Sequence, residues 1–371
     1  MRVGVPREVK NSEFRVGVTP TLVHELVRRG HEVVIESGAG LGSGIADADY
    51  ASTGAGILAE AADVWEQAEL VVKVKEPIPE EYGYLRDDLV LFTYLHLAAD
   101  ERLVDALLTA GTTAIAYETV QLPSGLLPLL YPMSEVAGCL APQVGAHAML
   151  KNHGGGGLLM GGVPGVPNAK VVVLGGGVVG QNAANIAAGM GADVIVLDND
   201  IEKLRLSHWR HRNRVHQLMS STMAIREQVL EADMVIGTVL VPGARAPKLV
   251  TDEMVADMKP GSVLVDVSID QGGCFENSRP STHEEPTYRV HGSVFYSVAN
   301  IPSVVPKTST VALTNATTPY VLKLSDHGWR DAMRADTALA MGLNARGGQL
   351  TSAAVAGSFG REHVPLDDVL G

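Results

Sequence analysis

The stretch KVVVLGGGVVGQNAANIAAGMGADVIVLD, residues 170–198, limits what this chain can fold into more than any other. Gly175, Gly177 and Gly180 stand in GxGxxG spacing directly after an apolar strand pattern. A helix pattern follows at once, with Val179, Ala183, Ile186 and Met190 on one face. The first glycine allows a tight turn, the second lets a pyrophosphate approach the backbone, and the third lets helix and strand pack closely. Asp198 closes the next apolar run, 18 residues after Gly180, where a carboxylate accepts hydrogen bonds from adenosine ribose hydroxyls and repels a 2'-phosphate. Strand, glycines, helix, strand and acid together imply a Rossmann unit that binds NAD.

One such unit leaves much of the chain unexplained, since 371 residues imply two domains at about 150 residues each. Short β-branched runs alternate with helical stretches at residues 3–5, 33–35, 70–74, 89–95 and 113–116, and again at 170–174, 193–197, 233–238, 262–267 and 294–299. Between the two sets, residues 133–151 read as a long helix. After Pro306 the pattern is helical at 315–324 and 331–343 with no strand left for the second sheet, so the tail is expected to pack back on the first domain. The expected fold class is α/β, two Rossmann-like doubly wound parallel-sheet domains with an active-site cleft between them. The expected boundaries are a substrate domain at 1–128, an NAD-binding domain at 129–306, and a return segment at 307–371 that completes the first.

A formal net charge of −13 argues against nucleic acid and anionic membrane surfaces, which need a basic footprint, and leaves a small-molecule partner. Cys139 and Cys274 form no CxxC pair, so neither a disulfide framework nor a cysteine zinc site is expected, and a reduced, cytoplasmic setting fits. Residues 1–30 lack the basic flank and apolar core of a signal peptide, and no apolar run reaches the roughly 18 residues that span a bilayer.

Ligands of open α/β sheets bind beyond the carboxyl ends of the strands, which makes polar residues there site candidates. Arg15 follows the first strand, Lys75 ends LVVKVK, His96 ends LVLFTYLH, Glu118 follows TTAIAYE, and Asp270 follows LVDVSID. Lys73 shares a strand face with Lys75, so spacing leaves both open. The four glycines at 154–157 have no phosphate-cradling helix behind them and read as structural. The arginines and histidines of SHWRHRNRVH, residues 207–216, read as a solvated helix face.

The segments PREVKNSEFRVGVTP, KVKEP, SEVAG, GGVPGV, VLVPGARAPKLV and DVSIDQGGCFENSRPST resemble alanine dehydrogenases nearly end to end. The same small group includes the NAD-binding subunit of proton-translocating transhydrogenase. That relative carries an RAQxxD-type loop shortly before SEVAG, where this chain has LLPLLY at 126–131. The resemblance implies reversible oxidative deamination of L-alanine to pyruvate and ammonium with NAD, on a homohexamer of two-domain subunits; because a methyl group in an apolar pocket is worth only about 1–3 kcal/mol, amination of glyoxylate to glycine is also expected. It implies that Arg15 and Lys75 contact substrate, and that His96 and Asp270 transfer protons. For NAD it implies Ser134, Gly175, Gly177, Val178, Val179, Gly180, Asp198, Lys203, Ser220, Val239, Leu240, Val267, Ser268, Ile269, Asp270, Arg279, Val298, Ala299, Asn300 and Ile301. Some members hold magnesium through an acidic residue and the histidine of a DHGW motif; here Lys323 stands in place of the acid, ahead of His327, so no metal is expected. A transhydrogenase-type NAD-binding subunit and a non-catalytic NAD sensor are the rival readings.

Overall fold

The computed structural model describes residues 1–239 and 246–371, and the chain divides into two compact units. Unit 1 is Met1–Met133 with Ser303–Gly371, and unit 2 is Ser134–Pro302.

The first segment of unit 1 supplies β1 (Arg2–Val5), β2 (Glu32–Glu36), β3 (Gly56–Leu58), β4 (Leu70–Val72), β5 (Val90–Thr93) and β6 (Thr113–Ala116). They pair in parallel in the order β3-β2-β1-β4-β5-β6. The interior strands β4, β5 and β6 are wholly buried, which is why they are short continuous apolar runs rather than alternating ones. The connecting helix Pro20–Arg28 starts on a proline that has no N–H to lose and buries Leu22, Val23 and Leu26.

Unit 2 repeats the arrangement. Its strands are β7 (Lys170–Leu174), β8 (Asp193–Asp198), β9 (Val215–Met219), β10 (Met234–Gly237), β11 (Val263–Asp266), β12 (Thr287–Val290) and β13 (Ser293–Tyr296), in the order β12-β13-β11-β10-β7-β8-β9. Among the strands of the described residues only β12 is antiparallel. One side of this sheet buries Phe275 edge-to-face on Phe295, with ring centroids 6.0 Å apart, a geometry contributing about 0.5–1.5 kcal/mol beyond area burial.

The return segment opens with the helix Pro306–Ala335, interrupted at Gly328 (φ 72°, ψ 161°). It then adds β14 (Leu343–Arg346) and β15 (Gln349–Leu350), with β14 antiparallel to β6. The helical reading of 331–343 is therefore corrected: helix ends at Ala335, a short turn Thr337–Ala340 follows, and Leu343 begins a strand. The helix expected over 133–151 spans Tyr131–Ala148, and the strand expected over 294–299 stops at Tyr296. No helix of the described residues is long and apolar enough to cross a membrane.

In each sheet the chain reverses direction of build at the centre, between β1 and β4 and between β7 and β10. Those switch points, at the carboxyl ends of the strands, are where this architecture opens a crevice for ligand.

Candidate active site

In unit 1 the segments leaving β1, β4 and β5 carry Arg15, Lys75 and His96. Lys75 Nζ lies 3.3 Å from His96 Nε2. A lysine ammonium can only donate, so this contact takes Nε2 as the acceptor. His96 has φ +48° and ψ 34°, a left-handed backbone that costs a non-glycine residue on the order of 1–3 kcal/mol. Glu118, leaving β6, offsets that cost by accepting the N–H groups of His96 (2.6 Å) and Leu95 (3.2 Å). Glu118, a candidate from sequence, thus holds the backbone of the histidine.

Arg15 is 2% exposed and lays its fork on Glu13, Nε to Oε1 at 2.6 Å and Nη2 to Oε2 at 2.5 Å, with Nη1 3.0 Å from Met133 Sδ. Burial works against the guanidinium charge, but the bonds and charge of Glu13 more than offset it, so Arg15 stays cationic. Burial separates the two lysines. β4 ends at Val72, and Lys73 turns inward, 1% exposed, onto Glu81 at 2.7 Å and Glu8 at 3.5 Å. Glu8 also accepts the backbone N–H of Val74 (2.6 Å) and of Lys75 (3.3 Å). Burial pushes the Glu8 carboxyl up, against the pull of Lys73. Lys73 is a core cation, whereas half-buried Lys75 meets His96. Glu8 and Glu13 were not anticipated, because their partners are backbone amides or a neighbouring guanidinium that no spacing rule marks.

In unit 2 Gly175 adopts φ 108°, and Gly177 caps the helix Val178–Gly189. A Cβ at Gly180 would run into the Gly175 carbonyl oxygen, whereas nothing lies within 4 Å of a Cβ built at Gly177. Thr238 pins the turn from β10, its hydroxyl donating to the carbonyls of Leu174 (2.9 Å) and Gly175 (3.0 Å). Asp198 is 7% exposed at the end of β8 and accepts the N–H groups of Gly176 (2.6 Å) and Asp200 (2.8 Å), with Lys203 Nζ 3.8 Å away. A helix N-terminus behind open glycine backbone, with a carboxylate beside the turn, fits the pyrophosphate and ribose of a dinucleotide.

The other expected residues of unit 2 fall mostly on strand exits: Val178 and Val179 after β7, Ser220 after β9, Val239 after β10, Val267 to Asp270 after β11, and Val298 to Ile301 after β13. Ser220 N–H donates to the Asp198 carbonyl at 3.0 Å, and Ser268 Oγ to the Val239 carbonyl at 2.8 Å. Ser134 lies instead in the first turn of Tyr131–Ala148, and the Arg279 guanidinium stacks on the Tyr288 ring, 4.4 Å from its centroid. Leu240 lies outside the described residues. Asp270 is exposed on the single 3-10 turn Ile269–Gln271. Asp266, unanticipated, is buried at the end of β11 and accepts the N–H groups of Ser268 (3.1 Å) and Cys274 (3.0 Å). Burial raises its carboxyl, against those bonds.

Two surface readings resolve as follows. The 207–216 segment is not a uniformly solvated face: His211 is buried, with Nε2 3.0 Å from Gln181 Oε1, and Val215 begins β9. The glycines at 154–157 serve backbone packing, with Gly156 N–H bonded to the Gly261 carbonyl at 3.0 Å. Lys323 pairs with Asp336 at 2.5 Å, and among the described residues no group of three or more His, Cys, Asp or Glu is placed to hold a metal ion.

The family model described as alanine dehydrogenase/PNT, N-terminal domain, matches residues 4–137, and its C-terminal counterpart matches residues 141–353. The chain is 60% identical over 360 residues to an alanine dehydrogenase of Mycobacterium tuberculosis (strain CDC 1551 / Oshkosh), covering 97% of each. It resembles a solved L-alanine dehydrogenase with a TM-score of 0.95 at 51% identity, over 97% of this chain and 99% of that one. A transhydrogenase structure from Sinorhizobium meliloti is similar at a TM-score of 0.80 and 25% identity, over 95% of this chain and 100% of that one.

Proposed function

The chain belongs to the alanine dehydrogenase/PNT family, and on that premise we propose that it catalyses the reversible oxidative deamination of L-alanine to pyruvate and ammonium with NAD. The observation that carries this reading is the set of basic side chains at the exits of β1, β4 and β5. Arg15 is fixed by Glu13, and Lys75 meets His96 at 3.3 Å.

Arg15 and Lys75 anchor the substrate carboxylate by charge-assisted hydrogen bonds. Glu13 fixes the plane of the Arg15 guanidinium through Nε and Nη2, with Nη1 beside Met133. Lys75 also polarises the carbonyl oxygen of pyruvate. His96 and Asp270 move the protons as ammonia adds and water leaves, or the reverse. NAD, when bound, supplies the hydride acceptor. Gly175, Gly177 and Gly180 would hold its pyrophosphate and Asp198 its adenosine ribose, which favours NAD over NADP. A cytoplasmic homohexamer is part of the same reading, on the strength of the resemblance.

The test is initial-rate reductive amination by the purified chain alone, with ammonium, NADH and pyruvate, glyoxylate or 2-oxoglutarate. A methyl group in an apolar pocket is worth about 1–3 kcal/mol, so glyoxylate should fall roughly ten- to two-hundredfold below pyruvate in kcat/KM, and 2-oxoglutarate far below both. A preference for 2-oxoglutarate overturns the alanine assignment. NADH binding without turnover of any 2-oxo acid favours a transhydrogenase-type subunit, and equal use of NADPH removes Asp198 from the coenzyme choice.

A further inference from the structure

Lys248 lies in the segment VLVPGARAPKLV and has no place in the roles set out above. Its ammonium donates to three backbone carbonyls of one loop: Gly272 at 2.6 Å, Gly273 at 2.9 Å and Phe275 at 3.0 Å. An ammonium has three N–H groups, so these bonds use all of its donor capacity. The carbonyls converge because Gly272 (φ 88°) and Gly273 (φ 74°) take consecutive left-handed conformations, which turn the chain back after the 3-10 turn that bears Asp270.

The same loop is tied on both flanks. Ala246 N–H donates to the Gln271 carbonyl (3.1 Å), Leu249 N–H to that of Cys274 (2.8 Å), and Glu276 N–H to that of Val250 (2.9 Å). From within, Asp266 accepts the N–H groups of Ser268 and Cys274 and the Ser278 hydroxyl. Asp266 gathers the loop's donors and Lys248 its acceptors, and Asp270, exposed between them, inherits its position from both.

We infer that Lys248 is a positioning residue for Asp270, holding the 266–275 loop so that the carboxylate is presented for proton transfer. The inference rests on the function proposed above, in which Asp270 transfers a proton. Charge alone does not suffice for the role, because three convergent acceptors match the ammonium tetrahedron and not the planar fork of an arginine.

The experiment is a double-variant cycle on the full-length chain, reading kcat for alanine oxidation and pyruvate amination, with thermal unfolding followed in parallel. Asp270→Ala should lose about a hundredfold or more, the scale of a general acid-base group. Lys248→Met should lose about ten- to a hundredfold, as expected of a reacting group displaced by roughly 1 Å, and Lys248→Arg should lie between it and wild type. In the Asp270→Ala background, Lys248→Met should cost no more than about twofold, because residues acting as one unit are not additive. A purely structural lysine would instead multiply its loss onto that of Asp270→Ala, and that result overturns the inference, as does wild-type kcat in Lys248→Met. If Lys248→Met does not fold, Lys248→Gln, which keeps two donors, takes its place in the cycle. Wild-type turnover in Asp270→Ala would fall on the proposed role of Asp270, a result separable from any behaviour of Lys248.

Discussion

Replacing Lys73 with methionine leaves Glu8 and Glu81 buried without the cation between them, whereas the same change at Lys75 removes a half-buried ammonium that meets His96. Breaking a buried pair from one side costs about 3–5 kcal/mol, so Lys73→Met should lower the urea midpoint strongly. Lys75→Met should leave the midpoint near wild type and raise the KM for pyruvate about tenfold or more, the scale of a lost charge-assisted bond. Urea unfolding and pyruvate titration of both variants decide it, and the opposite pattern would exchange their roles. Arg15→Ala should show both effects at once, because Glu13 keeps its buried charge when the guanidinium goes. Adding Glu13→Gln should then restore most of the lost stability and none of the pyruvate affinity, which unfolding and kinetics of the single and double variants would measure. Position past a strand was enough to mark Arg15, Lys75 and His96 as candidates. The same rule marked Glu118 but not its task on amides more than twenty residues away, and it missed Glu8, which acts on amides more than sixty away, contacts that only the folded chain creates.

Among the elements, the turn joining β7 to the helix Val178–Gly189 separates two duties that one motif usually confounds. A methyl at Gly180 meets the Gly175 carbonyl oxygen, so Gly180→Ala must push helix from strand. Thermal stability and NADH affinity should both fall, the latter by about tenfold or more. At Gly177 the methyl has open space, so Gly177→Ala should melt close to wild type yet bind NADH more weakly, because it obstructs only an incoming pyrophosphate. Melting curves with fluorescence titration of NADH distinguish the pair, and equal stability losses would refute the division. Interior strands were readable from sequence because burial on both faces demands continuous β-branched runs. Edges were not: β12 reads TYRV and is half-exposed, and β9 carries His216 and Gln217; nor was β14, LNAR, which is buried between β6 and the two-residue β15. Each relies on a paired neighbour rather than on an apolar pattern of its own.

Viewed as a whole molecule, the chain has one unit cut from continuous sequence and one that is not. Unit 2 is the single stretch Ser134–Pro302 with its own seven-stranded sheet, so that fragment alone should fold cooperatively and retain NADH binding. Residues 1–133 alone leave the side of β6 that β14 pairs with uncovered, and an unpaired strand edge invites association. That fragment should therefore be poorly soluble, and a soluble monomer by sedimentation would show that the return segment is dispensable. The discontinuity also sets an order in time. On the ribosome, β1 to β6 emerge first, yet β14 does not exist until the whole of unit 2 has followed. At roughly 5–20 residues per second that interval is on the order of ten to fifty seconds, during which the sheet that carries Arg15, Lys75 and His96 waits with an open edge while the dinucleotide unit matures behind it.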